Sequence, residues 1–135
     1  MLITPTPDQQ ATLDAFERVL EREVKPLAAS LGESPPSKAQ ATALLRALAE
    51  FGVGTLYTPA EHGGHGADNV TTGFLIEALC KADGGLGGLA SIQDGTTGLF
   101  ARLASPALRE KYLPRLLSGE LSICMAITEP SVGSN

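Results

Sequence analysis

Between Thr128 and Asn135 the chain sets a threonine hydroxyl, a carboxylate, a proline turn and a Gly-Ser pair within one short stretch, ITEPSVGSN. A turn of this composition offers several donors and acceptors at short range, free backbone N–H groups among them. The polar groups of a heterocyclic or phosphate-bearing ligand require such a set. A plain surface turn after an edge strand uses many of the same residues, and residue chemistry alone does not separate the two.

Other candidate chemistry is weaker. His62 and His65 in EHGGHG lie three apart beside Glu61, but no third metal ligand is signposted, and the glycines read as turn residues. The run GGLGGL at 84–89 follows a helical pattern rather than a strand and has no P-loop lysine, so it reads as close packing, not a phosphate cradle. Cys80 and Cys124 make no CxxC or Cys/His spacing and are expected to be buried free thiols. There is no GxSxG elbow and no HExxH pair.

The elements that must position the terminal stretch are helical. Asp8 is placed to cap a helix whose apolar residues Leu13, Phe16, Leu20, Val24, Leu27 and Leu31 recur at spacings of three and four, with Pro26 expected to kink or divide it. After the link GESPPS, Ser37 caps a second helix with Ala41, Leu44, Leu45, Leu48 and Phe51 on one face, ended by Gly52. Residues 55–69 lose helical period and form a turning loop. Phe74, Leu75, Ala78, Leu79 and Ala82 mark a third helix.

Six glycines between Gly84 and Gly98 would each cost an exposed helix roughly 1 kcal/mol relative to alanine. The interleaved Leu86, Leu89, Ile92, Leu99 and Phe100 favour a buried helix approached closely by a neighbour. Ser105-Pro106 opens a last helix through Leu108, Tyr112, Leu113, Leu116 and Leu117, closed by Gly119. LSICMAIT then reads as a strand. The expected fold is all-α, about five helices, with a C-terminal strand-like segment. A lone strand leaves backbone groups without partners, so the segment is expected to belong to a missing β domain, with domain bounds at 1–120 and 121–135.

Composition restricts the function classes. With 135 residues, 43% hydrophobic and 19% charged, the chain is a folded globular domain. A net charge of −5 with dispersed lysines and arginines disfavours nucleic acid, and aromatics at 4% offer no base-stacking platform. No stretch of about 18 apolar residues could span a bilayer, and the N-terminus has no signal-peptide pattern, so a cytoplasmic location is expected.

The order of features resembles the N-terminal portion of the acyl-CoA dehydrogenase family. The resemblance rests on EVKPLA in the first helix, the loop GVGTLYTPAEHGGHGAD, the helix ending in FLIEALCKAD, the glycine-bearing helix, and SPALREKYLPRLLSGELSICMAITEPSVGSN. It covers nearly the whole chain. Its most specific part is KYLPRLLSGE followed after a short interval by ITEP and Gly-Ser.

That resemblance implies a helical domain followed by a β domain and a helical bundle, with FAD and an acyl-CoA thioester held among them. Met125, Ile127 and Thr128 would contact the flavin, and Gly133 and Ser134 would contact the cofactor further along, Ser134 also lying near the acyl-CoA. Gly87, Gly88 and Ser91 on the glycine-rich helix would leave room for a bulky or branched acyl group. Where the family commonly has Gly-Ala-Gly-Ser-Asp after the proline, this chain has Ser131, Val132, Gly133, Ser134 and Asn135, so no role is assigned to the final acid.

The resemblance places the α-proton base in a C-terminal domain, so no residue here is nominated as catalytic, and residues 1–135 alone are expected to bind FAD weakly or not at all. It also implies a homo-oligomer, dimer or tetramer, and an electron-transfer flavoprotein partner. The alternatives are an acyl-CoA oxidase or flavin monooxygenase branch of the same fold, or a non-enzymatic helical interaction module.

Overall fold

Five of the helices begin where a side chain accepts from the first free N–H groups. The computed structural model describes residues 3–133. Helix α1 (Pro7–Val19) is capped not by Asp8 but by Thr6, whose Oγ1 accepts from Gln9 N at 3.3 Å while Gln9 Oε1 accepts from Thr6 N at 2.9 Å. Pro7 at the first helical position moves the start forward, since its ring presets the helical φ and its missing N–H costs nothing there; Asp8 is left in the first turn.

Pro26 neither breaks nor sharply divides the long first helical run. The chain passes through a π-helical turn (Leu20–Val24), in which Lys25 N donates to Leu20 O, and continues as α2 (Lys25–Leu31). The wider turn shifts the hydrogen-bond register just before the residue that has no N–H to give and whose ring would crowd the preceding carbonyl.

Ser37 caps α3 (Lys38–Phe51) with the same reciprocal pair, Gln40 N to Ser37 Oγ at 3.3 Å and Ser37 N to Gln40 Oε1 at 2.9 Å. Replacing it, Ser37→Ala, is expected to cost about 1 kcal/mol of stability, seen as a lower denaturation midpoint with unchanged slope. Gly52 ends α3 at φ 108°, in left-handed backbone that a side chain would strain.

Residues 52–68 form a loop closed on itself. His65 N donates to Thr55 O at 3.0 Å, Gly66 N to Thr58 O at 2.9 Å, and Ala67 N to Leu56 O at 2.9 Å, with one short 3₁₀ turn at Ala60–His62. Thr55 Oγ1 lies 2.8 Å from Gly52 O and 2.6 Å from His65 Nδ1, so one hydroxyl joins the end of α3 to the histidine ring. The histidines of EHGGHG thus serve the loop in part: the His65 ring lies over Gly52, where a Cβ would stand 2.7 Å from Cε1. Among the described residues no three His, Cys, Asp or Glu side chains group as a metal site.

Helix α4 (Asn69–Ala82), α5 (Gly84–Leu103) and α6 (Pro106–Leu117) complete the bundle. Asp83 alone joins α4 to α5. It caps α5 through Leu86 N at 2.8 Å while its own N–H ends α4 on Leu79 O at 3.0 Å. Ser105 caps α6 through Leu108 N.

The core collects Phe16, Leu20 and Val24 with Leu44, Leu48, Val53, Leu75, Leu79, Leu86 and Ala90. Phe16 stacks on Phe51 with centroids 4.9 Å apart. The expected apolar faces of the first helices are therefore the buried ones, with Leu13, Leu27 and Leu31 at the margin, whereas Ile92, Leu99 and Leu108, expected on buried faces, are exposed. The glycine-bearing segment is a helix under close approach: a Cβ at Gly87 would stand 2.6 Å from Cys80 Sγ, and one at Gly98 would stand 2.9 Å from Tyr57 Cβ.

Two expectations are corrected. Both cysteines are free but exposed: Cys80 lies at the edge of the α4–α5 contact and Cys124 in the segment without regular structure. Leu121–Gly133 forms no strand: among the described residues every regular element is a helix, and no neighbouring segment supplies a ladder partner.

Candidate functional site

Two surfaces adjoin along α5. One is its outer face, where Gly88, Ile92, Gly95, Leu99 and Leu103 fall at spacings of four and three and so share one side. Ile92 is 55% exposed and Leu103 75%, which leaves an apolar and small-residue face unpacked. The other surface is the segment 121–133. It is exposed from Cys124 onward, with Met125 49% and Ile127 69% accessible, and turns at Glu129 N to Val132 O, 3.0 Å.

The predicted site residues divide between these surfaces. Met125, Ile127, Thr128 and Gly133 stand together on the open segment. Ser134 lies outside the described residues. Gly88, where a Cβ would meet nothing within 4 Å, and the half-buried Ser91 lie on the open side of α5. Gly87 is buried against Cys80 of α4, so its space is taken by the neighbouring helix. Glu61, Glu77 and Glu129 stay apart as a loop residue, a helix-face partner of Lys81 at 2.7 Å and a turn residue.

Sequence reasoning passed over the polar side chains beneath α5. Gln93, Asp94, Thr96 and Thr97 are all buried, as are Thr58 and Thr72. Asp94 Oδ1 accepts from Tyr57 N at 3.5 Å, a long bond, and Oδ2 has no partner among the described residues, nor do the hydroxyls of Thr58, Thr72, Thr96 and Thr97. Burial pushes the Asp94 carboxyl up to about 6, against the pull of the Tyr57 and Leu56 N–H groups. The signal was present in the spacing: Leu86, Ala90, Gln93, Thr97 and Ala101 follow a core period in which two polar residues take apolar places.

The concave features lie elsewhere. A groove of about 500 Å³ between α1, the π-helical turn and α4 is floored by Leu13, Leu20 and Phe74 and rimmed by the ion pairs Glu21 with Lys25 and Glu77 with Lys81. Another of about 540 Å³ lies between Pro35, Pro36 and the start of α5. Neither includes Gly88, Ser91 or the open segment.

An all-helical bundle is the architecture of a recognised domain. The family model described as acyl-CoA dehydrogenase, N-terminal domain, matches residues 6–120, and the chain belongs to the acyl-CoA dehydrogenase family. It is similar to an isobutyryl-CoA dehydrogenase of Dictyostelium discoideum, 34% identical over 68% of this chain and 22% of the relative. A cyclohex-1-ene-1-carbonyl-CoA dehydrogenase of Syntrophus aciditrophicus is 32% identical over 96% of this chain and 31% of the relative. A 3-(aryl)acrylate reductase of Clostridium sporogenes is 28% identical over 85% and 30%. The chain thus spans less than a third of the length of each. No helix among the described residues is long and apolar enough to cross a membrane.

Proposed function

We propose that this chain is the opening helical domain of a flavin-dependent acyl-CoA dehydrogenase, residues 1–120 forming that domain and 121–135 the first strand and turn of a β domain. The observation that carries the reading is the pairing of a family match over residues 6–120 with a following segment that has no regular structure and is exposed from Cys124 to Gly133. FAD, when bound, supplies the hydride-accepting chemistry for α,β-dehydrogenation of an acyl-CoA thioester.

The residues fit one wall of such a site. Met125 and Ile127 expose apolar side chains, the first about half covered and the second less, suited to pack on a planar ring. Thr128 holds a hydroxyl for a polar ring edge, and Gly133 and Ser134 continue along the cofactor. Gly88 and Ser91 on the open side of α5 leave room for the acyl group, and Gly87 sets how closely α4 and α5 approach behind them. The proton-abstracting base is supplied from outside these residues, so residues 1–135 alone neither turn over substrate nor retain flavin. The complete protein acts in the cytoplasm as a dimer or tetramer and passes electrons to an electron-transfer flavoprotein.

The test is the complete gene product that carries these residues. It is expected to purify with bound flavin and to lose the flavin's oxidised absorbance on mixing with saturated acyl-CoA thioesters, bulky or branched ones reacting faster than short straight ones. A protein that holds no flavin would falsify the reading. The similarity to a reductase supports a second direction, so flavin reduced beforehand should be offered an α,β-unsaturated thioester and an aryl acrylate as well. Reoxidation by the unsaturated substrates, with no reduction by saturated ones, would favour the reductive role.

A further inference from the structure

Gln93 occupies a core position of α5, 2% exposed, where a leucine or methionine of similar size would avoid desolvating an amide. The amide's hydrogen bonds all go one way. Nε2 donates to Leu121 O at 3.1 Å and Leu116 O at 3.4 Å, and Oε1 accepts from Ile123 N at 3.0 Å. Leu116 lies in the last turn of α6, while Leu121 and Ile123 begin the open segment.

Leu121 C=O and Ile123 N–H flank Ser122, and this is the pair of groups that one residue of a parallel strand engages across a ladder. The Gln93 side chain takes the place of that strand residue. It ties the segment to α5 at Ile123, two residues before Met125 and five before Thr128. Leu121 N, bonded to Arg115 O at 3.0 Å, holds the same turn from behind.

We infer that Gln93 is a positioning residue that fixes the segment bearing Met125, Ile127 and Thr128 to α5, the helix whose open side carries Gly88 and Ser91, and so aligns cofactor and substrate. The inference rests on the functional reading above. The Gln93 side chain touches neither ligand. Its contribution is registry: the flavin side of the site is indexed to the substrate side through one amide, and misplacement of reacting groups by about 1 Å can cost as much as a hundredfold in rate.

The experiment uses the complete protein and amide hydrogen exchange. In the wild type, Ile123 is expected to exchange about a hundredfold more slowly than in a variant that lacks the Gln93 amide; equal rates in the two overturn the inference. Gln93→Met keeps the volume and removes the bonds. It is expected to speed Ile123 exchange about a hundredfold, broaden the flavin absorbance and weaken flavin binding about tenfold, with kcat lowered about tenfold and KM for acyl-CoA within about twofold.

Thr97→Val, one turn along the same buried face, is the control for core perturbation and should leave Ile123 exchange, the spectrum and kcat unaltered. Protection of Ile123 retained in Gln93→Met, or lost with the flavin spectrum and kcat unchanged, overturns the positioning role. Wild-type protein that holds no flavin instead overturns the functional reading, a result visible before any variant is made.

Discussion

Gly64→Ala is expected to destabilise the fold by about 3 kcal/mol, a loss of about 10 °C in Tm for a chain of this length. A Cβ at Gly64 would lie 2.1 Å from Thr58 O, 2.4 Å from Thr58 Cβ and 2.6 Å from Thr58 C. The obstacle is backbone, and it is held on both sides: Thr58 N donates to Thr55 O at 3.2 Å and Thr58 O accepts from Gly66 N at 2.9 Å, with the residue fully buried. The loop can admit the methyl group only by opening these bonds.

Gly73→Ala is the matched comparison. Gly73 lies inside α4 with nothing within 4 Å of a Cβ, so the same methyl restricts only the unfolded chain and is expected to add about 0.5–1 kcal/mol. Thermal melts of the two variants should therefore move in opposite directions. A Gly64→Ala midpoint within about 2 °C of wild type would mean that the loop is not packed as described.

The helices were legible because their signals are local. Ser37 and Ser105 cap where the periodicity says a helix must start, and Phe16, Leu48, Leu75 and Leu79 are buried because spacings of three and four put them on one face. Thr6 displaced Asp8 because Pro7 and Gln9 together make a better start than a lone carboxylate. Pro26 produced a π-helical turn rather than a break, since a packed apolar face on either side rewards continuing the helix.

The open segment and the polar layer under α5 were harder to read for a shared reason. A strand needs a partner, and LSICMAIT carries β-branched residues whether or not one is present; here Gln93 alone supplies the equivalent bonds. Gln93, Asp94 and Thr97 look like ordinary surface residues until the helix is wound and they fall in line with Leu86 and Ala90. Met125, Ile127 and Thr128 could be assigned a ligand only through family resemblance, because one wall of a site carries no geometry of its own. The resemblance assigned Gly87 with Gly88, yet Cys80 occupies the space beside Gly87, a long-range contact that spacing does not disclose.

The fold is expected to be more stable at about pH 5 than at about pH 7.5 by about 1–2 kcal/mol on account of Asp94 alone. Burial raises this carboxyl from 3.8 to about 6, the long Tyr57 contact being too weak to offset desolvation. A carboxyl that ionises at higher pH when folded than when unfolded favours the fold in its protonated form. Its contribution is complete below pH 3.8 and is lost as pH rises through about 6. Asp68 and Glu120, both lowered by hydrogen bonds from Thr71 and Arg115, act oppositely, but only at pH below the ordinary carboxylate range. Asp94→Asn keeps an acceptor for Tyr57 N and cannot ionise, so it should abolish the Asp94 share of the pH dependence whatever its effect at any single pH. Denaturant unfolding of both proteins at the two pH values isolates that share, because every other titrating group cancels between them. Equal differences in wild type and variant would show that Asp94 is solvated or paired, and that the polar layer beneath α5 is open to water.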